Sequence, residues 1–189
     1  MLFLGTNVFG KTLGIVGLGA IGREVAKMMS AFEVKILYYD VKRAEDFEKQ
    51  FNAKFVTIPE LLKKSDFITL HVPLLPTTRY LIDDKEFVMM KKTAFIVNTA
   101  RGPIIREKAL LKALKAKKIA GAALDVFENE PAIDTDLTDK LELRAMENVV
   151  ITPHIASAAI ETRSAMSEIA AKNIIAALSG KTPPNLVKS

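Results

Sequence analysis

Short apolar runs alternate along this chain with stretches whose apolar residues recur at helical spacing. Residues 12–16 (TLGIV), 34–39 (VKILYY), 67–72 (FITLHV), 93–99 (TAFIVNT), 119–124 (IAGAAL) and 149–152 (VVIT) read as buried strands, and 53–57 as a short edge strand. Between them, Ile21, Val25, Met28, Met29 and Phe32 line one helix face, and Phe47 and Phe51 stand four apart on a short charged helix. Pro59 opens a small helix running to Lys64, and another short helix lies near 84–90. Leu110, Leu111 and Leu114 share one side of a helix over 106–116. A long helix over 160–179 is stopped by Gly180, Pro183 and Pro184. Near-continuously apolar strands alternating with helices predict an α/β fold, a doubly wound parallel sheet in three αβα layers, as a single domain. Its core spans about 10–158. Ligands of such sheets bind at the carboxyl ends of the strands. The residues there are Gly17 and Gly19, Asp40, His71–Pro73, 99–101, Asp125 and His154.

Composition narrows the classes. With 189 residues, 49% of them hydrophobic and 26% charged, the chain can bury a core and is not a disordered segment. The absence of cysteine excludes disulfides, thiolate metal ligands and cysteine nucleophiles, and fits a reducing, cytoplasmic setting; no metal is expected. The net charge of +5 is scattered, which suits a small anionic ligand better than nucleic acid. No run reaches the ~18 apolar residues of a membrane span. The N-terminus lacks the basic flank and cleavage site of a signal peptide, so no membrane partner is expected.

Gly17-Leu18-Gly19-Ala20-Ile21-Gly22 spells GxGxxG after the first strand and at the start of the first helix. Asp40 ends the next strand, 18 residues past Gly22 and close to the ~20 of a dinucleotide fingerprint. Gly17 permits the tight turn, Gly19 lets a pyrophosphate approach the backbone, and Gly22 lets the helix lie close to the strand. Free N–H groups around Ala20 and Ile21, with the helix dipole, favour phosphate. Asp40 can accept from both ribose hydroxyls of NAD and would repel a 2′-phosphate, although Lys42 and Arg43 follow it closely. The sheet is therefore expected to be of the Rossmann type, with NAD as cofactor.

Reduction of a 2-oxo acid needs a cation for the carboxylate and carbonyl, an acid for the oxygen, and a carboxylate that orients that acid. Arg101, in NTARG, can be the bidentate cation. His154, after a strand and Pro153, can be the acid. Glu130, in ENEP, can bond its far nitrogen, and on local sequence Glu128 competes for that role. Asp125 can accept from a nicotinamide carboxamide. His71 reads as a wall residue near the adenine.

GLGAIGR, YYD, HVPL, NTARG, ALDVFENEP and TPHIAS, in this order, resemble the cofactor-binding domain of the D-isomer-specific 2-hydroxyacid dehydrogenases, of the D-3-phosphoglycerate dehydrogenase or glyoxylate/hydroxypyruvate reductase type. The resemblance runs from about Gly10 to Val187. It implies hydride transfer between NAD(H) and a small 2-oxo or 2-hydroxy acid. Arg101 matches the substrate arginine, His154 the acid/base histidine, and Glu130, before Pro131, its paired glutamate. It gives Asp125, Thr99, Ala100, Ala156 and Ser157 to the nicotinamide side, Val72 and Pro73 to the adenine side, and Thr78 to a loop contact. Members carry a second, substrate domain that this chain does not have room for, and the helix over 160–179 would cross toward it. The expectation is a cofactor domain that binds NAD and, alone, turns over 2-oxo acids poorly or not at all, with a homodimer left open. The alternative is an NAD-binding scaffold without turnover. The intact Arg101, Glu130 and His154 favour the enzyme lineage.

Overall fold

The computed structural model describes residues 5–130 and 142–187. Pro131 of the ENEP motif lies outside them. Contacts divide the chain into two compact units, Met1–Pro153 and His154–Ser189.

The first unit holds seven parallel strands: β1 (Thr12–Val16), β2 (Lys35–Tyr39), β3 (Lys54–Phe55), β4 (Phe67–Leu70), β5 (Phe95–Asn98), β6 (Gly121–Leu124) and β7 (Val149–Ile151). They lie in the order β3-β2-β1-β4-β5-β6-β7, so the direction of winding reverses at β1. Its helices include α1 (Ala20–Ser30), α2 (Glu45–Phe51), α3 (Ile58–Lys64), α4 (Asp84–Met89) and α5 (Glu107–Lys115), with a 3-10 turn at Gly102–Ile104.

The period of two along each strand feeds two separate cores. Leu13 and Ile15 of β1, with Ile36 and Tyr38 of β2, meet Ala26 of α1 and Phe47 of α2. Val16, Ile68, Leu70, Ile96, Ala122 and Leu124 meet Leu61 and Leu62 of α3, Phe87 of α4 and Leu110 and Leu114 of α5 on the opposite face. Apolar residues on both faces of the central strands thus require helices on both sides, the doubly wound arrangement read from the sequence. Gly14 of β1 lies under α3, where a Cβ would run into Leu61 and Ser65, so the absent side chain sets that close approach.

Helix starts follow local chemistry. Thr57 caps α3 by accepting from the Glu60 N–H at 3.4 Å. Asp83 and Glu86 form a capping box at α4. The second unit contains α6 (Ile160–Leu178). Among the described residues, no helix is long and apolar enough to cross a membrane.

Candidate functional site

The turn after β1 is shaped by its glycines. Gly17 has φ +96°, and a Cβ on it would stand 2.7 Å from the His71 carbonyl. A Cβ on Gly22 would strike the carbonyl oxygen of Gly17, so helix and turn are in backbone contact. Gly19 differs: no atom lies within 4 Å of where its Cβ would be. It is the N-cap of α1, no side chain caps that end, and no acid occupies the first turn. The helix therefore offers its first N–H groups and its positive end to an outside anion.

Asp40 follows β2 and turns back to the same loop. Its Oδ2 accepts from the Leu18 N–H and its Oδ1 from the Val41 N–H, both at 2.6 Å. These bonds fix the carboxylate in place and leave lone pairs for further donors. Beside it lies a cleft of about 410 Å³, lined mostly by apolar residues that include Tyr39, Ile58, Val72, Pro73 and Leu81. Thr78 also lines it, but its hydroxyl donates to the Pro73 carbonyl at 2.6 Å and accepts from the Leu75 N–H at 2.8 Å. Thr78 thus fastens the loop that walls the cleft.

The two basic residues after Asp40 do not both remain available. Arg43 forms a two-pronged pair with Glu48, at 2.9 and 2.8 Å. Tyr38 donates to the same carboxylate at 2.8 Å. The Arg43 guanidinium, and then the Tyr38 hydroxyl, hold the Glu48 carboxyl down at about 2. Arg43 is thus committed to this pair.

A second cavity, about 490 Å³, is lined by Ile21, His71, Val72, Pro73, Leu74, Thr99, Ala100 and Arg101. His71 lines this cavity beside Val72 and Pro73, which border the Asp40 cleft as well. Its ring nitrogen lies 2.9 Å from the Thr69 hydroxyl, and burial lowers its pKa, favouring the neutral ring. Arg101 is exposed on the turn after β5. Asn98, 1% exposed, holds that turn from beneath: its amide donates to the Arg101 carbonyl at 2.9 Å and its Oδ1 accepts from the Ala100 N–H at 3.1 Å. Nothing in the periodicity marked Asn98, although a polar residue inside an apolar strand was a visible signal.

Asp125 is buried just beyond β6, where its Oδ1 accepts from the Thr152 hydroxyl at 2.5 Å. Glu130 is half-buried and its Oε1 accepts from the Phe127 N–H at 2.9 Å. Glu128 is differently engaged. Its Oε1 accepts from the Glu107 N–H at 2.6 Å and its Oε2 from the Tyr80 hydroxyl at 3.4 Å. The first unit therefore brings Gly17–Gly22, Asp40, Val72, Pro73, Thr78, Thr99–Arg101, Asp125 and Glu130 to the carboxyl edge of one sheet. His154, at φ +54°, belongs to the second unit with Ala156 and Ser157. Among the described residues, no group of three or more metal-binding side chains stands together.

Residues 2–156 match the family model described as D-isomer specific 2-hydroxyacid dehydrogenase, NAD binding domain. Glyoxylate reductase of Korarchaeum cryptofilum is 51% identical over 187 residues, 99% of this chain and 55% of the relative. The enzyme of the same name from Thermofilum pendens is 52% identical over 184 residues, 97% and 53% of the two chains. The chain thus spans about half the length of the curated relatives it matches. Among solved structures, D-lactate dehydrogenase with NAD+ from Lactobacillus jensenii superposes with a TM-score of 0.89 at 33% identity, covering 98% of this chain and 58% of that one. A glyoxylate reductase from Paecilomyes thermophila gives 0.83 at 40% identity, covering 95% and 53%. The bare glycine cradle, the fixed Asp40 carboxylate and the apolar cleft beside it suit a dinucleotide, and the chain belongs to the D-isomer specific 2-hydroxyacid dehydrogenases, as their NAD-binding domain.

Proposed function

We propose that this chain serves an NAD-dependent D-2-hydroxyacid dehydrogenase acting on a small 2-oxo acid of the glyoxylate or hydroxypyruvate class. The observation that carries the reading is the Arg101 turn, braced by Asn98 and lining a cavity that shares Val72 and Pro73 with the Asp40 cleft. NAD, when bound, supplies or takes the hydride. Gly17–Gly22 receive its pyrophosphate and Asp40 its adenosine ribose. Val72 and Pro73 wall the adenine, and Thr99, Ala100, Asp125, Ala156 and Ser157 serve the nicotinamide side. Arg101 holds the substrate carboxylate as a bidentate cation and draws electron density from the neighbouring carbonyl. His154 gives the proton to the carbonyl oxygen on reduction and takes it back on oxidation. Glu130 orients and tunes that histidine. The relatives named glyoxylate reductase support the substrate class. A cytoplasmic location and a homodimer belong to the same reading.

The test pairs calorimetric titration with NADH and steady-state reduction of glyoxylate and hydroxypyruvate by this chain and two variants. NADH affinity is expected to survive in both. His154→Ala lowers kcat by about 10²–10⁴-fold, and Arg101→Gln raises KM for the 2-oxo acid. An unchanged kcat in His154→Ala removes the histidine as the acid. A chain that binds NADH and reduces neither substrate removes turnover while leaving the cofactor site standing.

A further inference from the structure

Helix α5 begins without a capping side chain of its own, because its N-cap is Arg106. Its first N–H, on Glu107, is satisfied from 21 residues away by the Glu128 carboxylate at 2.6 Å. The bond is returned: the Glu107 carboxylate accepts from the Glu128 N–H at 2.5 Å. Two glutamates therefore each hold the other's backbone, and Glu107 is only 7% exposed. Tyr80 adds a third tie through its hydroxyl to Glu128. Its ring lies under the Arg106 guanidinium, 4.2 Å from the centroid, and its own N–H donates to the Pro103 carbonyl at 2.7 Å. Close by, Gly102 meets the Phe127 backbone so tightly that a Cβ would overlap it. Gly102 follows Arg101 directly, and Phe127 donates to Glu130.

A helix cap alone would need one of these bonds. The observed set ties the α5 start, the Arg101–Gly102 turn and the Asp125–Glu130 segment to one another. We propose that Glu128, paired reciprocally with Glu107, is a positioning residue that holds the Glu130 carboxylate in register with the Arg101 turn. This assignment rests on the proposed dehydrogenase reading for its catalytic meaning, but not for its structural content. It also separates the two glutamates of the ENE segment. Glu128 accepts from Glu107 and Tyr80 as a brace, and Glu130 carries the group being braced.

The Phe127 amide reports on the placement of Glu130 because it donates to that carboxylate. The test uses this chain with Glu128→Ala, Glu128→Gln and Glu107→Ala, followed by residue-resolved amide exchange, NADH titration and the pH profile of glyoxylate reduction. Glu128→Ala is expected to speed exchange at both Glu107 and Phe127 by at least about tenfold. NADH affinity should stay within about twofold. The kcat should fall about 10–100-fold with its pH profile displaced, as for a mispositioned partner of the acid. Glu128→Gln, which keeps the acceptor oxygen, should restore most of the exchange protection and of kcat. Glu107→Ala, which removes the acceptor for the Glu128 N–H from the other half of the pair, provides the same readout if Glu128→Ala fails to fold. Faster exchange confined to the Glu107 amide means a helix cap and overturns the proposal. A kcat fall without displacement of the profile overturns it as well. If the parent chain binds no NADH, the dehydrogenase reading fails separately; if it binds NADH and reduces no 2-oxo acid, exchange at Phe127 alone decides whether Glu128 places Glu130.

Discussion

Replacing Gly19 and Gly22 in turn by alanine separates folding from cofactor binding. At Gly19 the backbone has φ −73°, which any residue adopts, and the added methyl meets no protein atom within 4 Å. Alanine restricts the unfolded chain, a gain of about 0.4–1 kcal/mol. It is also a poorer N-cap than glycine by about the same amount. These nearly cancel, so Tm should move by no more than about 2 °C in a domain of this size. The methyl does, however, enter the space above the bare start of α1. Displacing a phosphate from even one N–H there costs about 1.5–3 kcal/mol, the range for a hydrogen bond to a charged group. That corresponds to roughly 10–150-fold weaker NADH binding. At Gly22 the methyl strikes the Gly17 carbonyl oxygen, backbone against backbone. Neither side can give without moving α1 from the sheet, so the cost is about 1–3 kcal/mol and Tm falls by several degrees. Scanning calorimetry and NADH titration on both variants measure the contrast. Gly19→Ala binding NADH within twofold of the parent would refute the assignment of the pyrophosphate to this turn.

Asp40→Ala should weaken NADH about tenfold or more through lost charged acceptors and narrow the preference over NADPH; an unmoved NADH/NADPH ratio in parallel titrations removes Asp40 as the ribose ligand. The Glu48 carboxyl, held at about 2 by Arg43 and Tyr38, sits below its unfolded value of about 4.3. Its contribution to stability is therefore fully present above about pH 4.3 and is lost as pH falls toward 2. Glu48→Gln should lower Tm relative to the parent at pH 6, with the gap closing near pH 2.5; a gap of constant size would show that the ionised pair does not stabilise the fold.

The glycine turn, Asp40 and the strand ends were legible because each depends on local sequence. β1 was read at its observed limits, and most other elements shrank by one or two residues at their ends, where tertiary contacts decide. The edge strand contracted from residues 53–57 to Lys54–Phe55, since an outer strand has one neighbour to pair with. Other features needed the assembled sheet. The Glu107–Glu128 exchange joins residues 21 apart, and Asn98 supports a turn whose shape is absent from the alternation of β5. The strand end at His71 borders both cavities through Val72 and Pro73, a division that the alternation of residues does not mark. The choice between Glu128 and Glu130 had no local answer, since both precede the same loop.

The strand order also sets a schedule for synthesis. β1 to β4 lie within the first 70 residues, and every residue lining the Asp40 cleft has been made by Leu81. Each later strand, β5, then β6, then β7, pairs with the strand translated just before it, so the sheet grows at one open edge in the order of translation. At about 5–20 residues per second, Arg101 follows Leu81 by about 1–4 s. A nascent chain thus holds all the residues lining its Asp40 cleft before Arg101, the residue proposed for the substrate carboxylate, exists.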